Sequence, residues 1–89
     1  MILVDDLRWY ALVKPRLSRG YERWAHMVSD DSLAELHDFA DLLGLRREWF
    51  QGDHYDIRPR QHALAQRLGA VAVDRRELVK RRVRAPRLL

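Results

Sequence analysis

Among the side chains of types that do chemistry, six stand out by position: Asp5, Asp6, His26, His54, Tyr55 and Asp56. Carboxylate oxygens suit Mg²⁺ or Mn²⁺, and a neutral imidazole nitrogen suits Zn²⁺, Mn²⁺ or Fe²⁺. Asp5, His26, His54 and Asp56 therefore form a chemically sufficient mixed metal set. The same groups can move protons, so His54, Asp56 and His26 are the expected catalytic residues, an imidazole serving as ligand or general base. Asp5, Asp6 and Tyr55 are expected to contact the bound molecule, Tyr55 as a hydrogen-bond donor. The expected cofactor is a divalent cation (Mg, Mn or Zn), and the expected partner is a phosphate-containing small molecule or phosphoester. The densest stretch is Trp49-Phe50-Gln51-Gly52-Asp53-His54-Tyr55-Asp56, where a turn after Gly52 would expose His54 and Asp56.

Quieter roles compete with each of these. Asp5 and Asp6 are neighbours on one extended segment, so their side chains diverge and one of them can enter a given pocket. His26 sits in Trp24-Ala25-His26-Met27-Val28, where a core histidine with one buried partner is the ordinary outcome. His37 falls on the inner stripe of a helix and reads as packing, His62 reads as a surface residue, and Asp30 and Asp31 read as caps. Trp9, Trp24, Trp49, Phe50 and Tyr55 are numerous for a small core, and some are expected to line a pocket that stacks a base or ring. There is no HExxH and no glycine-rich phosphate loop.

Positioning these groups requires a sheet. Ile2–Val4 is a short apolar run ending at two carboxylates, and Arg23–Val28 alternates with apolar residues on both faces, as a doubly covered strand does. Between them, residues 7–20 show no clean period and read as a loop with a turn of helix. Ser32 and Glu35 have capping-box spacing, and Leu33, Leu36, Ala40 and Leu43 recur at helical spacing before Gly44. Leu45–Phe50 reads as a short strand or extended connection. Pro59 starts a second helix through Leu64, Ala65 and Leu68 to Gly69, Ala70–Val73 reads as a buried strand, and Asp74 with Glu77 caps a third helix that Pro86 ends. The expectation is an α/β domain over residues 1–83, of about three to four short strands and about three helices, followed by a basic tail at 84–89.

The 89 residues carry a net charge of +4, unevenly spread. From Arg75 onward seven basic residues face the single acid Glu77, which leaves residues 1–74 slightly acidic. Such a balance points to a polyanion partner. Ala65, Gly69 and Leu78 also fall at helix-turn-helix spacing within residues 61–83, with Leu64 and Leu68 inward. On that reading Arg75, Arg76, Lys80, Arg81 and Arg82 face nucleic acid. A non-catalytic nucleic-acid-binding module is thus the alternative to the metal pocket, and a protein-interaction domain using exposed Trp9 or Trp49 is a third.

The absence of cysteine excludes a disulfide framework and a thiolate metal site. No apolar run approaches the roughly 20 residues of a membrane span, and the first residues lack a leader pattern, so a cytoplasmic protein is expected. The motifs Ile2-Leu3-Val4-Asp5-Asp6, Trp24-Ala25-His26-Met27-Val28-Ser29-Asp30, Leu33-Ala34-Glu35-Leu36-His37, Trp49–Asp56 and Leu68-Gly69-Ala70 occur in order. With them the chain resembles a family of short bacterial and phage proteins classed as a domain of unknown function. The resemblance runs to about Val83 and implies a shared fold, with no activity to carry over.

Overall fold

β-Branched and apolar residues at alternate positions make the centre of this molecule, a mixed sheet seen in a computed structural model that describes residues 1–11 and 21–86. Its strands are β1 (Ile2–Val4), β2 (Arg8–Ala11), β3 (Tyr21–Ser29), β4 (Tyr55–Ile57) and β5 (Val71–Ala72). β3 is the spine. It pairs antiparallel with β1 and β2 along one edge and with β4 along the other, and β1 also pairs parallel with β5. The helices are α1 (Leu33–Leu42), α2 (Pro59–Arg67) and α3 (Arg75–Arg81), with a 3-10 turn at Arg47–Trp49. The α/β class follows directly, with one strand more than the sequence leads one to expect.

The period of two divides the sheet into unlike faces. Ile2, Val4, Ala25, Met27, Tyr55 and Ile57 form one face, buried under Leu36 and Ala40 of α1 and Ala65 of α2. Leu3 and Val28 point the other way and pack on Leu78 of α3. Helices therefore cover both sides, as the two-faced apolarity of β3 requires. Local chemistry sets where α1 and α3 begin: Ser32 accepts from the Glu35 N–H and Asp74 from the Glu77 N–H.

Several expectations need correction. β2 falls in the stretch read as a loop; its Arg8 and Trp9 pair with Trp24 and Arg23, and cross-strand partners of this kind are invisible to local periodicity. Pro15, Ser18 and Gly20 lie outside the described residues. The 3-10 turn replaces the extended segment expected at Leu45–Phe50, and β4 replaces the expected exposed turn. The helix-turn-helix reading fails because Val71 and Ala72 pair with Leu3 and Val4 instead of forming a polar turn. Leu64 and Leu68, inward on that reading, are exposed, and α2 buries Ala65 instead. β5 is an edge strand with Val71 and Ala72 exposed rather than a buried one. Beyond α3 the chain stays docked, Val83 N–H donating to Ser29 O and Ala85 N–H to Gly52 O; residues 87–89 of the expected tail lie outside the described residues.

Candidate metal centre

The site begins with an irregularity between β1 and β2. Val4 pairs with Met27 and Arg8 with Trp24, so Asp5, Asp6 and Leu7 lie opposite only Ala25 and His26. One extra residue in one strand is a β-bulge, a device that re-aims side chains. A regular hydrogen-bonded pair exchanges two backbone bonds. Here Asp5 N–H donates to His26 O (3.2 Å), but the returning His26 N–H is taken by the Asp5 side chain, Oδ1 at 2.6 Å. The carbonyl of Asp5, released from the ladder, accepts instead from His62 Nε2 (2.8 Å). His62, read from sequence as a surface residue, thus ties α2 to the bulge.

The other oxygen of Asp5 faces His26 Nδ1 at 2.8 Å. A carboxylate accepts, so Nδ1 carries a proton and Nε2 is the ring nitrogen turned away from Asp5. Across β3, His26 is the register partner of Asp56 on β4. Asp5, His26 and Asp56 therefore form one row across three strands, on the α3 face of the sheet. His26 Nε2 lies 3.9 Å from Asp56 Oδ1.

His54 enters from the segment just before β4. Its Nδ1 is held by Asp53 Oδ1 at 2.5 Å, and its Nε2 stands 3.3 Å from Asp56 Oδ1. The His26 and His54 rings meet edge to face, with centroids 5.1 Å apart. Asp53 is held in turn by Arg82 Nε (2.8 Å), and Gln51 Nε2 donates to Asp56 Oδ2 (2.7 Å). Ligand atoms of His26, His54 and Asp56 all lie within 4.8 Å of one another. Ligand bonds of 2.0–2.2 Å in a tetrahedral site place donors about 3.4 Å apart. The His54–Asp56 edge already has that length, and the His26–Asp56 edge needs to shorten by about half an ångström to match it.

The electrostatics follow the same contacts. Burial pushes the Asp5 carboxyl up, but the His26 side chain and backbone together outweigh burial and hold it below its ordinary value. The hydrogen bond to Asp56 raises His54 above its ordinary 6.5; burial opposes, and Asp53 adds to the rise. His54 lowers Asp56 in return against burial. For Asp53 burial is again the largest influence, outweighed by His54 and Arg82.

The structure brings together His26, His54 and Asp56 and places Asp5 behind His26. Both Asp5 oxygens are engaged with His26, so Asp5 orients that imidazole and is not itself in the cluster of candidate donor atoms. Asp6 is exposed, on the diverging side of the bulge. Tyr55, expected to contact a ligand, lies on the opposite face, 1% exposed, because adjacent strand residues point to opposite sides. Its hydroxyl shares a 2.8 Å hydrogen bond with His37 Nδ1. Of the expected nucleic-acid contacts, Arg75, Arg76 and Lys80 are exposed, Arg81 Nη2 donates to Asp30 Oδ2 (2.6 Å), and Arg82 pairs with Asp53. Asp53 and Gln51 escaped the sequence reading. The signal for Asp53 was present as an Asp-His dipeptide after a glycine.

Two hollows adjoin the cluster. One of about 150 Å³ lies between sheet and α3, bordered by His26, His54, Arg75 and Arg82. A larger one, of about 610 Å³, opens beside Asp56 and is bordered by Trp24, Trp49, Gln51, Arg58 and Gln61. Among the described residues no helix is long and apolar enough to cross a membrane.

No curated protein matches this chain, and no solved structure does. A family model described as "Protein of unknown function (DUF4031)" matches residues 2–85, and the chain belongs to that family.

Proposed function

We propose that this protein binds a divalent cation through His26 Nε2, His54 Nε2 and Asp56 and uses it to handle a phosphoester. One observation carries the reading: each imidazole has its Nδ1 on a carboxylate of its own, Asp5 or Asp53, and turns Nε2 toward Asp56. Carboxylate–histidine–metal relays have this form, since the outer carboxylate fixes the tautomer and strengthens the nitrogen donor. Two imidazoles and one carboxylate favour Zn²⁺, Mn²⁺ or Fe²⁺ over Mg²⁺. A cation held there would polarise a phosphoryl oxygen and acidify a bound water. Arg75 beside the smaller hollow and Arg58 beside the larger supply positive charge for the phosphate.

Thermal-shift titration with Mn²⁺, Zn²⁺ and Mg²⁺ tests the reading, because a ligand of the native state raises apparent stability by mass action. Wild type should shift with Mn²⁺ or Zn²⁺, and His54→Ala should abolish the shift. No shift with any ion in folded wild-type protein rejects the metal centre. The second reading, a nucleic-acid surface on α3, is favoured by exposed Arg75, Arg76 and Lys80 on consecutive turns. It predicts salt-dependent binding of an oligonucleotide that charge reversal at Arg76 and Lys80 removes while the metal response survives.

A further inference from the structure

The row Asp5–His26–Asp56 has a neighbour. Two residues back along β3, Trp24 is the register partner of Arg8 on β2, and Arg58 follows β4 directly opposite it. The pleat puts Arg8, Trp24 and Arg58 on the same face as the metal-binding row, one side-chain repeat away, roughly 7 Å. The Arg58 guanidinium lies over the Trp24 ring, 5.4 Å from its centroid. Here α3 no longer covers the sheet, because its buried contact is with Leu3 and Val28 at the other end.

Trp24 and Arg58 of that stretch border the 610 Å³ cleft together with Leu45 and Glu48, and its volume falls within the range of small-molecule pockets, about 300–1,000 Å³. Trp49, 47% exposed on the 3-10 turn, borders it as well. Arg46 stacks near the Trp49 ring at 6.0 Å while bound through Nε and Nη2 to Glu48, so Trp49 is braced in its exposed position. Gln51 commits its Nε2 to Asp56, and Gln61 commits its Oε1 to the Arg58 N–H. The Gln51 carbonyl and the Gln61 amide are the ends they can offer to a ligand edge.

We infer that the cleft is a nucleoside-phosphate subsite, in which the base stacks on Trp49 and the phosphate lies at Arg58, held over Trp24, next to Asp56, His54 and His26. Tryptophan faces accept any base, arginine recognises phosphate through paired donors, and the amides supply the hydrogen-bonding edge. An aliphatic phosphate would make no stacking contact with Trp49, and an uncharged aromatic would bring no phosphate to the Arg58 guanidinium. The inference specifies the substrate class of the proposed metal centre and rests on that reading for the chemistry, though not for binding.

Isothermal titration of the full chain with adenosine and thymidine 5′-monophosphates, a thymidylate decamer and inorganic phosphate, each with and without Mn²⁺, tests it. Nucleotide should bind wild type and bind about tenfold more weakly to Trp49→Ala and to Arg58→Gln, the loss of one stacked ring or one phosphate contact. Both variants should keep the wild-type thermal shift with Mn²⁺, and a cooperative thermal melt without ligand certifies that they fold. Binding of the decamer alone, weakened by Trp49→Ala and by Arg58→Gln, assigns the same chemistry to a strand and supports the subsite, whereas decamer binding insensitive to both substitutions belongs to another surface and overturns it. Nucleotides and decamer both binding no better than inorganic phosphate, or equally to all three proteins, overturn it. If Mn²⁺ fails to bind while nucleotide binding remains sensitive to Trp49→Ala and Arg58→Gln, the metal centre falls and the subsite stands; if Mn²⁺ binds and nucleotides do not, the reverse holds.

Discussion

The two faces of the sheet are built from alternate residues of the same strands, yet they treat histidine oppositely. On the α1–α2 face His37 packs against Phe50 and Tyr55, and burial, with Arg47 nearby, lowers its pKa. On the α3 face His54 sits between Asp56 and Asp53, and its pKa is raised. Partial burial lowers the pKa of one imidazole, and carboxylates raise that of the other. The contrast shows how a domain this small separates a dry core from a charged site: the pleat does it, one residue at a time.

The largest effects should come from breaking each face in turn. Met27→Ala removes a fully buried side chain and should cost about 2–5 kcal/mol in urea unfolding, with cation affinity preserved in the fraction that remains folded. Asp5→Ala strips the acceptor from the His26 N–H and Nδ1 and should cost about 1–3 kcal/mol; as an outer carboxylate it should also weaken cation binding about 10- to 100-fold. Equal cation affinity in both variants would erase the functional distinction between the faces.

Tyr55→Phe is a milder probe of the dry face. It should cost about 1 kcal/mol through the lost bond to His37 and leave cation binding unchanged. A loss of cation binding would return Tyr55 to the site from which its burial excludes it.

The smallest effect is the most direct comparison. In an NMR titration of the metal-free protein, His54 should titrate above 6.5 and His37 below it. The linked stabilities have opposite signs. The raised His54 contributes stability fully present below 6.5 and lost as pH rises through its folded value, whereas His37 contributes stability present above 6.5 and lost as pH falls through its folded value. Asp5, Asp53 and Asp56, all depressed, contribute stability present above about pH 3.8 and lost on further acidification. Coincident titration of the two histidines would refute the contrast.

Legibility in the sequence followed the range of each interaction. The starts of α1 and α3 were readable because Ser32 and Asp74 reach only three residues ahead. The two-faced character of β3 was readable because alternation is local. β2 was not, since Arg8–Ala11 is a strand only by virtue of its partner at Tyr21–Trp24. The turn expected around His54 and Asp56 became half a strand for the same reason, as Asp56 pairs with His26 thirty residues away in sequence. Tyr55 was misassigned for want of a face: neighbours in sequence, Tyr55 and Asp56 end up on opposite sides of the sheet.

By itself the sequence determined the α/β class, the helix starts and the residue types available for chemistry, because composition, capping and periodicity act over a few residues. Tertiary structure alone decided which of those residues meet. A single extra residue at Asp5–Leu7 turned one carboxylate onto His26, the β3–β4 register set Asp56 beside it, and α3 delivered Arg82 to Asp53. Those contacts join residues far apart in the chain, and their geometry exists only once the strands have paired.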